Sequence, residues 1–355
     1  MARNIVISID AMGGDSGPSA IVGGMVKSAQ KNDEIRYIVH GDEAVLRPLV
    51  DKRRELDGIV EIRHADGVID MTEKPARAMR NGRNSSMWAA LQTVERGDAT
   101  VAVSCGNTGA LMAISMLRLR RAPGVDRPAI AVLWPSQGPA RYNIVLDVGA
   151  DIRADARDLV QYAIMGTEYA RLGLELDRPR VGLLNVGTEE HKGRAALQEA
   201  ADDLERLCQQ PDCPFEYVGF VEGGDIGRGV VDVIVTDGFT GNVALKTAEG
   251  TARMIRTFLR EAMEHTIFSR IGALFALTSL RRLQKRLDPR RVNGGVFLGL
   301  NGAVVKSHGS ADATGVSAAI KLAFRLAKNG FTEQVAARVA AQSGKPHPAP
   351  AGQEG

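Results

Sequence analysis

Asp232-Val-Ile-Val-Thr-Asp237-Gly-Phe-Thr-Gly-Asn242, running on into Val243-Ala-Leu-Lys-Thr-Ala-Glu-Gly250, sets the grammar of this chain. Val233, Ile234 and Val235 are a short apolar run of the kind a strand buried on both faces needs, and Asp237-Gly238 breaks it in a tight turn. A helix begins soon after, with Thr240, Gly241 and Asn242 at its entrance. There the backbone N–H groups lack intrahelical partners and the positive end of the helix dipole favours an anion. Asp237 is the polar group at the strand's carboxyl end, which is where open α/β sheets place their ligands. The plainer reading of the same residues is structural: Asp237 fixes the turn and Thr240 caps the helix.

The pattern recurs. Residues 4–9 read as a first strand ending in Asp10-Ala-Met-Gly-Gly-Asp15, with a helix after Pro18. Strands are expected at 35–39, 59–62, 99–103, 129–134, 143–147, 181–186, 215–221 and within 296–306, most of them followed by helical sequence. The strand at 99–103 leads into Ser104-Cys-Gly-Asn107-Thr108-Gly109, that at 181–186 into Asn185-Val-Gly-Thr-Glu-Glu-His-Lys192, and the last into Lys306-Ser-His308-Gly-Ser310. Strands alternating with helices through short connections predict a doubly wound, mainly parallel α/β sheet with helices on both faces, an α/β/α arrangement. Residues 1–342 are expected to form a single catalytic domain, and 343–355, rich in Pro and Gly without anchors, a disordered tail.

At 355 residues, with 44% hydrophobic and 25% charged residues, the composition is that of a water-soluble globular chain. The formal net charge of +3 gives no reason to expect a nucleic-acid partner. Three cysteines, Cys105, Cys208 and Cys213, offer neither a disulfide framework nor paired metal-ligand spacing, which fits a reducing cytoplasm. Neither a signal peptide nor an apolar run long enough to span a bilayer is expected.

One segment breaks the rhythm. About 251–291 has helical character and no strand, and reads as a protruding helical hairpin. Ile267, Phe268, Ile271, Leu274, Phe275 and Leu277 crowd its middle, followed by Arg281, Arg282, Lys285, Arg286, Arg290 and Arg291. An apolar tip beside a basic collar suits an anionic membrane surface or an acidic protein; the alternative is burial against a dimer partner.

The residues at the expected strand ends are Asp10, Asp15, Asn107, Thr108, Gly109, Asn185, Lys192, Asp237, Thr240, Gly241, Asn242, Lys306, His308 and Ser310. They include cations, amides, carboxylates and one imidazole. There is no nucleophile elbow, Walker loop or dinucleotide fingerprint, so no nucleotide cofactor or metal is expected. What the set suits is a small anion at helix entrances, with lysine for charge and His308 to move a proton near neutral pH.

Asp10-Ala-Met-Gly-Gly-Asp15, Gly106-Asn-Thr-Gly-Ala-Leu-Met112, Asn185-Val-Gly-Thr-Glu189, Thr236-Asp-Gly-Phe-Thr-Gly-Asn-Val243 and Lys306-Ser-His-Gly-Ser310 closely resemble, in order over about residues 4–330, the bacterial phosphate acyltransferase (PlsX) family. The resemblance implies an isocitrate dehydrogenase/phosphate acetyltransferase-like fold. It implies conversion of long-chain acyl-acyl carrier protein and inorganic phosphate into acyl phosphate, which a downstream glycerol-3-phosphate acyltransferase consumes in phospholipid (phosphatidic acid) synthesis. It also implies a homodimer in the cytoplasm that meets the inner face of the cell membrane peripherally through the hairpin. In this scheme phosphate attacks the thioester directly, without an acyl-enzyme. Lys306, Asn107 and Asn185 are the candidates for charge stabilisation, and His308, oriented by Asp237 or Asp10, for proton handling. One departure is visible: Asp147-Val-Gly-Ala-Asp151 carries a carboxylate where the family pattern has an amide, so no anion contact is carried over to position 151. The competing readings are a soluble coenzyme A-dependent phosphate acetyltransferase, which gives no purpose to an apolar hairpin tip, and a non-catalytic lipid- or carrier-protein-binding scaffold, which leaves the strand-end set unexplained.

Overall fold

The computed structural model describes residues 4–189, 192–287 and 294–342, the side chains of Leu277, residues 280–287 and Gln342 excepted. The strands are β1 (Ile5–Asp10), β2 (Ile35–Gly41), β3 (Val60–His64), β4 (Val101–Ser104), β5 (Ala129–Pro135), β6 (Tyr142–Leu146), β7 (Arg180–Leu184), β8 (Glu216–Val221), β9 (Val233–Val235), β10 (Gly295–Leu298) and β11 (Ala303–Lys306). The α-helices are α1 (Gly17–Ala29), α2 (Glu43–Asp51), α3 (Pro75–Asn81), α4 (Ser86–Glu95), α5 (Thr108–Arg118), α6 (Ala156–Leu174), α7 (Ala195–Cys208), α8 (Gly238–Glu264), α9 (Ile267–Leu287), α10 (Ala313–Lys328) and α11 (Phe331–Gln342).

All the strands join one sheet in the order β3-β2-β1-β4-β11-β10-β5-β6-β9-β7-β8. From β3 to β11 neighbours are parallel, and from β6 to β8 they are parallel again. Between these halves β10 is antiparallel to both β11 and β5, and β5 is antiparallel to β6. The two parallel halves therefore run in opposite directions.

Period-two alternation explains the two cores. Ile7, Ile9, Val101, Val103 and Val305 point into one, shared with α1, α6, α7, α10 and α11. Ala102, Phe297 and Val304 point into the other, against α4 and α5. Helices thus cover both faces, as the alternating sequence predicts.

Two boundaries differ from the sequence expectation. The apolar stretch 296–306, read as one strand, is the antiparallel pair β10 and β11, because Gly299 (φ 81°) and Gly302 (φ 156°) take up backbone conformations that turn the chain back. The helical hairpin is rooted earlier than 251: α8 is continuous from Gly238 for 27 residues, about 40 Å, before the turn into α9. Its tip is apolar and exposed as expected, with Phe268 81% and Phe275 88% accessible and Ile267, Ile271 and Leu274 also exposed. No described helix is long and apolar enough to cross a membrane. Arg281, Arg282, Lys285 and Arg286 lie on α9, their side chains outside the described set, and Arg290, Arg291 and the tail 343–355 lie outside the described residues.

Candidate active site

The end of β1 delivers Asp10 into the protein interior, 1% accessible. A carboxylate there needs donors, and it has them: Ser86 Oγ at the start of α4 (2.6 Å) and Ser104 Oγ at the end of β4 (2.7 Å). This ties three elements together beneath the glycine turn. Gly13 packs so tightly that a Cβ would stand 2.6 Å from Asp10 Oδ2 and 2.8 Å from the Gly106 nitrogen. Asp15 is exposed, and its N–H donates to the Gly309 carbonyl (2.7 Å), holding the β1 turn against the β11 turn.

Lys306, at the end of β11 beside β4, is 8% accessible and donates to the carbonyl oxygens of Cys105 (3.3 Å) and Ser307. Burial lowers its ammonium to about 8, with Cys105 and Asp10 working the other way. At neutral pH it keeps its charge and is poised to release a proton. His308 stands two residues on, and its Nε2 lies 3.4 Å from Glu249 Oε1 on α8. Its side chain is 45% accessible, and the partial burial of the ring lowers its pKa, against the pull of Glu249 and with Lys306, Lys246 and Arg253 adding to the fall. Lys246 Nζ in turn donates to Glu249 Oε2 (3.0 Å). Lysines and an arginine from two elements thus act on one imidazole, a field that attracts a small anion.

Asn107 caps α5 through Ala110 N (3.0 Å), while its Nδ2 donates to the carbonyls of Met71 (2.8 Å) and Glu73 (2.9 Å). Its amide is engaged at both ends as a loop anchor. Thr108 follows it exposed, and Gly109 is partly buried, where a Cβ would press on Pro75. Ser310 is exposed at the far side of the His308 turn.

The remaining sequence candidates form a second group. Asp237 is the N-cap of α8, accepting from Thr240 N and Thr240 Oγ1 (both 2.9 Å), and pairs with Arg194. The capping reading therefore describes its contacts. Asn185 accepts from Val186 N (2.9 Å) and donates to the Lys192 carbonyl (2.9 Å), closing its own loop, and Lys192 pairs with Glu189 (2.6 Å). Gly241 packs on the Asp147 carbonyl, and Asn242 lies beside Gly149. Asp147 is fully buried and accepts from the N–H groups of Ile130, Gly149, Ala150 and Asp151. Asp151 is spent on this loop and on Arg127 (3.6 Å).

The expectation of one convergent cluster is thus corrected to two clusters linked by α8. The two halves of the sheet run in opposite directions, so their carboxyl ends do not share an edge. From Asp237 to Lys246 is nine residues of helix, about 14 Å. The orienting role expected of Asp237 or Asp10 on His308 is corrected too, since both carboxylates are engaged elsewhere and Glu249 faces the imidazole. Lys246, Glu249 and Arg253 were missed as site residues. The signal was present: with Asn242 they recur at i, i+4, i+7 and i+11, one polar stripe along an otherwise amphipathic helix.

The fold is a mainly parallel α/β sheet with helices on both faces, of the kind found in phosphotransacetylases. The chain is similar in structure to the EutD phosphotransacetylase from Staphylococcus aureus (TM-score 0.57, 17% identity, 92% of this chain and 95% of that one). It is similar also to a phosphotransacetylase from Streptococcus pyogenes (TM-score 0.61, 16% identity, 92% and 94%). At such identities the likeness is one of fold. A family model described as fatty acid synthesis protein matches residues 5–334. The chain is 65% identical over 335 residues to the phosphate acyltransferase of Dinoroseobacter shibae, covering 94% of this chain and 86% of that one. It is 63% identical over 339 residues to that of Ruegeria sp., covering 96% and 90%. The chain belongs to the phosphate acyltransferase family, enzymes of fatty acid and phospholipid synthesis.

Proposed function

We propose that this enzyme binds inorganic phosphate between the β1, β4 and β11 turns and the polar stripe of α8, and there acylates it from a long-chain acyl-acyl carrier protein. The observation that carries this reading is the buried Lys306 ammonium next to His308, with Lys246 and Arg253 adding positive field and glycine backbone close by. A phosphate oxygen attacks the thioester carbonyl carbon, the carbon–sulfur bond breaks, and the carrier leaves as thiolate. Neutral His308 takes the phosphate proton and returns it to the departing sulfur, while the Lys306 charge holds the phosphate and offsets the negative charge that builds up on the carbonyl oxygen. Alignment of the two reactants does the rest. Thr108, Gly109 and Ser310 border this site. Asn107, Asn185, Lys192, Asp237, Thr240, Gly241 and Asn242 contribute by holding loops and the root of α8 rather than by touching phosphate.

Cys105 supports direct attack rather than an acyl-enzyme: burial raises its thiol to about 11, so it is not a ready nucleophile. The exposed tip at Phe268, Leu274 and Phe275 supports peripheral contact with a membrane surface, where a labile acyl phosphate is handed to a glycerol-3-phosphate acyltransferase. Phe239, Val243, Met254, Ile255 and Phe258, all exposed on α8, support a homodimer formed along that helix.

The test is incubation of the full chain with palmitoyl-acyl carrier protein and labelled phosphate, trapping product with hydroxylamine. We expect acyl hydroxamate from the native enzyme, a fall of about 100-fold or more for Lys306→Ala, and a fall of about 10- to 100-fold for His308→Ala. Undiminished turnover by both variants would remove the proposed mechanism.

A further inference from the structure

We infer that Glu249 is the positioning residue of this enzyme's proton relay: from its place on α8 it holds His308 by Nε2, leaving Nδ1 as the nitrogen that meets the phosphate proton.

The inference rests on the proposed use of His308 and deepens it. Four carboxylates come from elements around this site besides Glu249, and of these Asp312 caps α10, accepting from Thr314 N and Gly315 N (2.9 and 3.0 Å). Asp10 is saturated by Ser86 and Ser104, and Asp237 is taken by Thr240 and Arg194 at the far root of α8. Asp15 is exposed and acts on Lys306 rather than on the imidazole. Glu249 alone of these lies within reach of the ring, with Oε1 at 3.4 Å from Nε2. That oxygen is buried and lacks a hydrogen-bond partner, whereas Oε2 is already held by Lys246 at 3.0 Å. A buried carboxylate oxygen without a donor is costly, and a small rotation of the imidazole supplies one. A ring nitrogen that donates to a carboxylate dictates the tautomer, so the basic lone pair resides on the opposite nitrogen. The charged groups facing His308 are Glu249, Lys246 and Arg253 from α8 and Lys306 from β11. Glu249 is the one among them that favours the imidazolium formed when the proton arrives.

This also gives the continuous α8 a role in the chemistry. Its N-terminal turns present Glu249 and Lys246 to a site made otherwise by β1, β4 and β11, so the catalytic histidine is set by an element rooted in the other half of the sheet.

The test compares native enzyme, Glu249→Gln, Glu249→Ala, His308→Ala and the double variant Glu249→Gln/His308→Ala in the acyl hydroxamate assay across pH 5 to 9. Thermal melts would confirm that each is folded. Gln can still accept from Nε2 but carries no charge. We expect kcat to fall about tenfold for Glu249→Gln and further for Glu249→Ala, with KM for phosphate not raised. The acid limb of the kcat/KM profile should move to lower pH, because the charge that favours imidazolium is gone. In the His308→Ala background, Glu249→Gln should change the rate less than twofold. An unmoved acid limb, or a full tenfold loss in that background, would overturn the role given to Glu249. Undiminished rate in His308→Ala itself would instead overturn the underlying mechanism, so the two failures are distinguishable.

Discussion

Lys306 shows how much a single residue's setting changes its chemistry. A lysine on the surface would hold its proton to pH 10 or above, but here burial brings it to about 8. The ammonium is present below that value and is lost as pH rises through it. KM for phosphate should therefore climb above about pH 8, and Lys306→Arg, which cannot lose its charge in that range, should abolish the climb even if kcat suffers. A flat KM in the native enzyme would place phosphate elsewhere. Cys105 provides the complementary case. Its thiol is buried and raised to about 11, so Cys105→Ala should keep turnover within about threefold, and hydroxylamine should release no acyl group from denatured enzyme. His40 is a structural histidine: buried, bonded through Nε2 to Ser8 and Thr93 Oγ (both 3.1 Å), and lowered to about 4 chiefly by burial. Between that value and the ordinary 6.5 the unfolded chain takes up a proton that the folded one refuses. Stability should be complete above pH 6.5 and fall by about 1 kcal/mol per pH unit as acid is added down to pH 4, a slope that His40→Gln should lack in urea titrations.

At the scale of elements, α8 is the member on which the site depends. Its root is packed without slack: a Cβ on Gly241 would overlap the Asp147 carbonyl, and one on Gly238 would come within 2.5 Å of Asp147 Oδ2. Asp147 itself holds the 149–151 loop, whose Asp151 carbonyl accepts from Gly238 N (2.7 Å). Gly241→Ala should thus displace the helix, costing about 2 kcal/mol or more in thermal or urea unfolding, and lower activity about 100-fold, though position 241 touches neither phosphate nor thioester. Activity near the native level would mean that Lys246 and Glu249 are not needed where α8 puts them. Most elements were readable from period and punctuation, since three-residue apolar runs followed by Asp-Gly or Gly-Asn leave little choice. The β10–β11 hairpin was not, because Gly-Leu-Asn-Gly within an apolar stretch reads as a tolerable interruption until the neighbouring strands are known. The polar stripe of α8 was overlooked for a related reason: charges on a helix are usually solvated, and only the approach of Glu249 Oε1 to His308 Nε2 (3.4 Å) separates this stripe from that majority.

For the molecule as a whole, the apolar hairpin tip is the feature least compatible with isolation in water. If it meets lipid, Phe268→Glu/Leu274→Glu should abolish flotation with anionic liposomes while leaving turnover of soluble acyl-acyl carrier protein within about twofold. Unchanged flotation would reject the anchor. If α8 forms the dimer face, Ile255→Glu/Phe258→Glu should shift the chain to monomer in light scattering, and an unshifted mass would assign that face to another use.

The sequence by itself determined the alternating α/β class, the polar residues at the strand ends, the resemblance to phosphate acyltransferases and the apolar hairpin tip. Each follows from local periodicity, turn chemistry or ordered motifs, and these are properties of neighbouring residues. Only the tertiary structure decided which strand ends share a site. Sheet direction reverses through β10 and β5, and that reversal is a matter of long-range pairing that no local pattern encodes. It separates Asn185 and Asp237 from Lys306 and His308, and leaves a long helix to carry Glu249 across the gap.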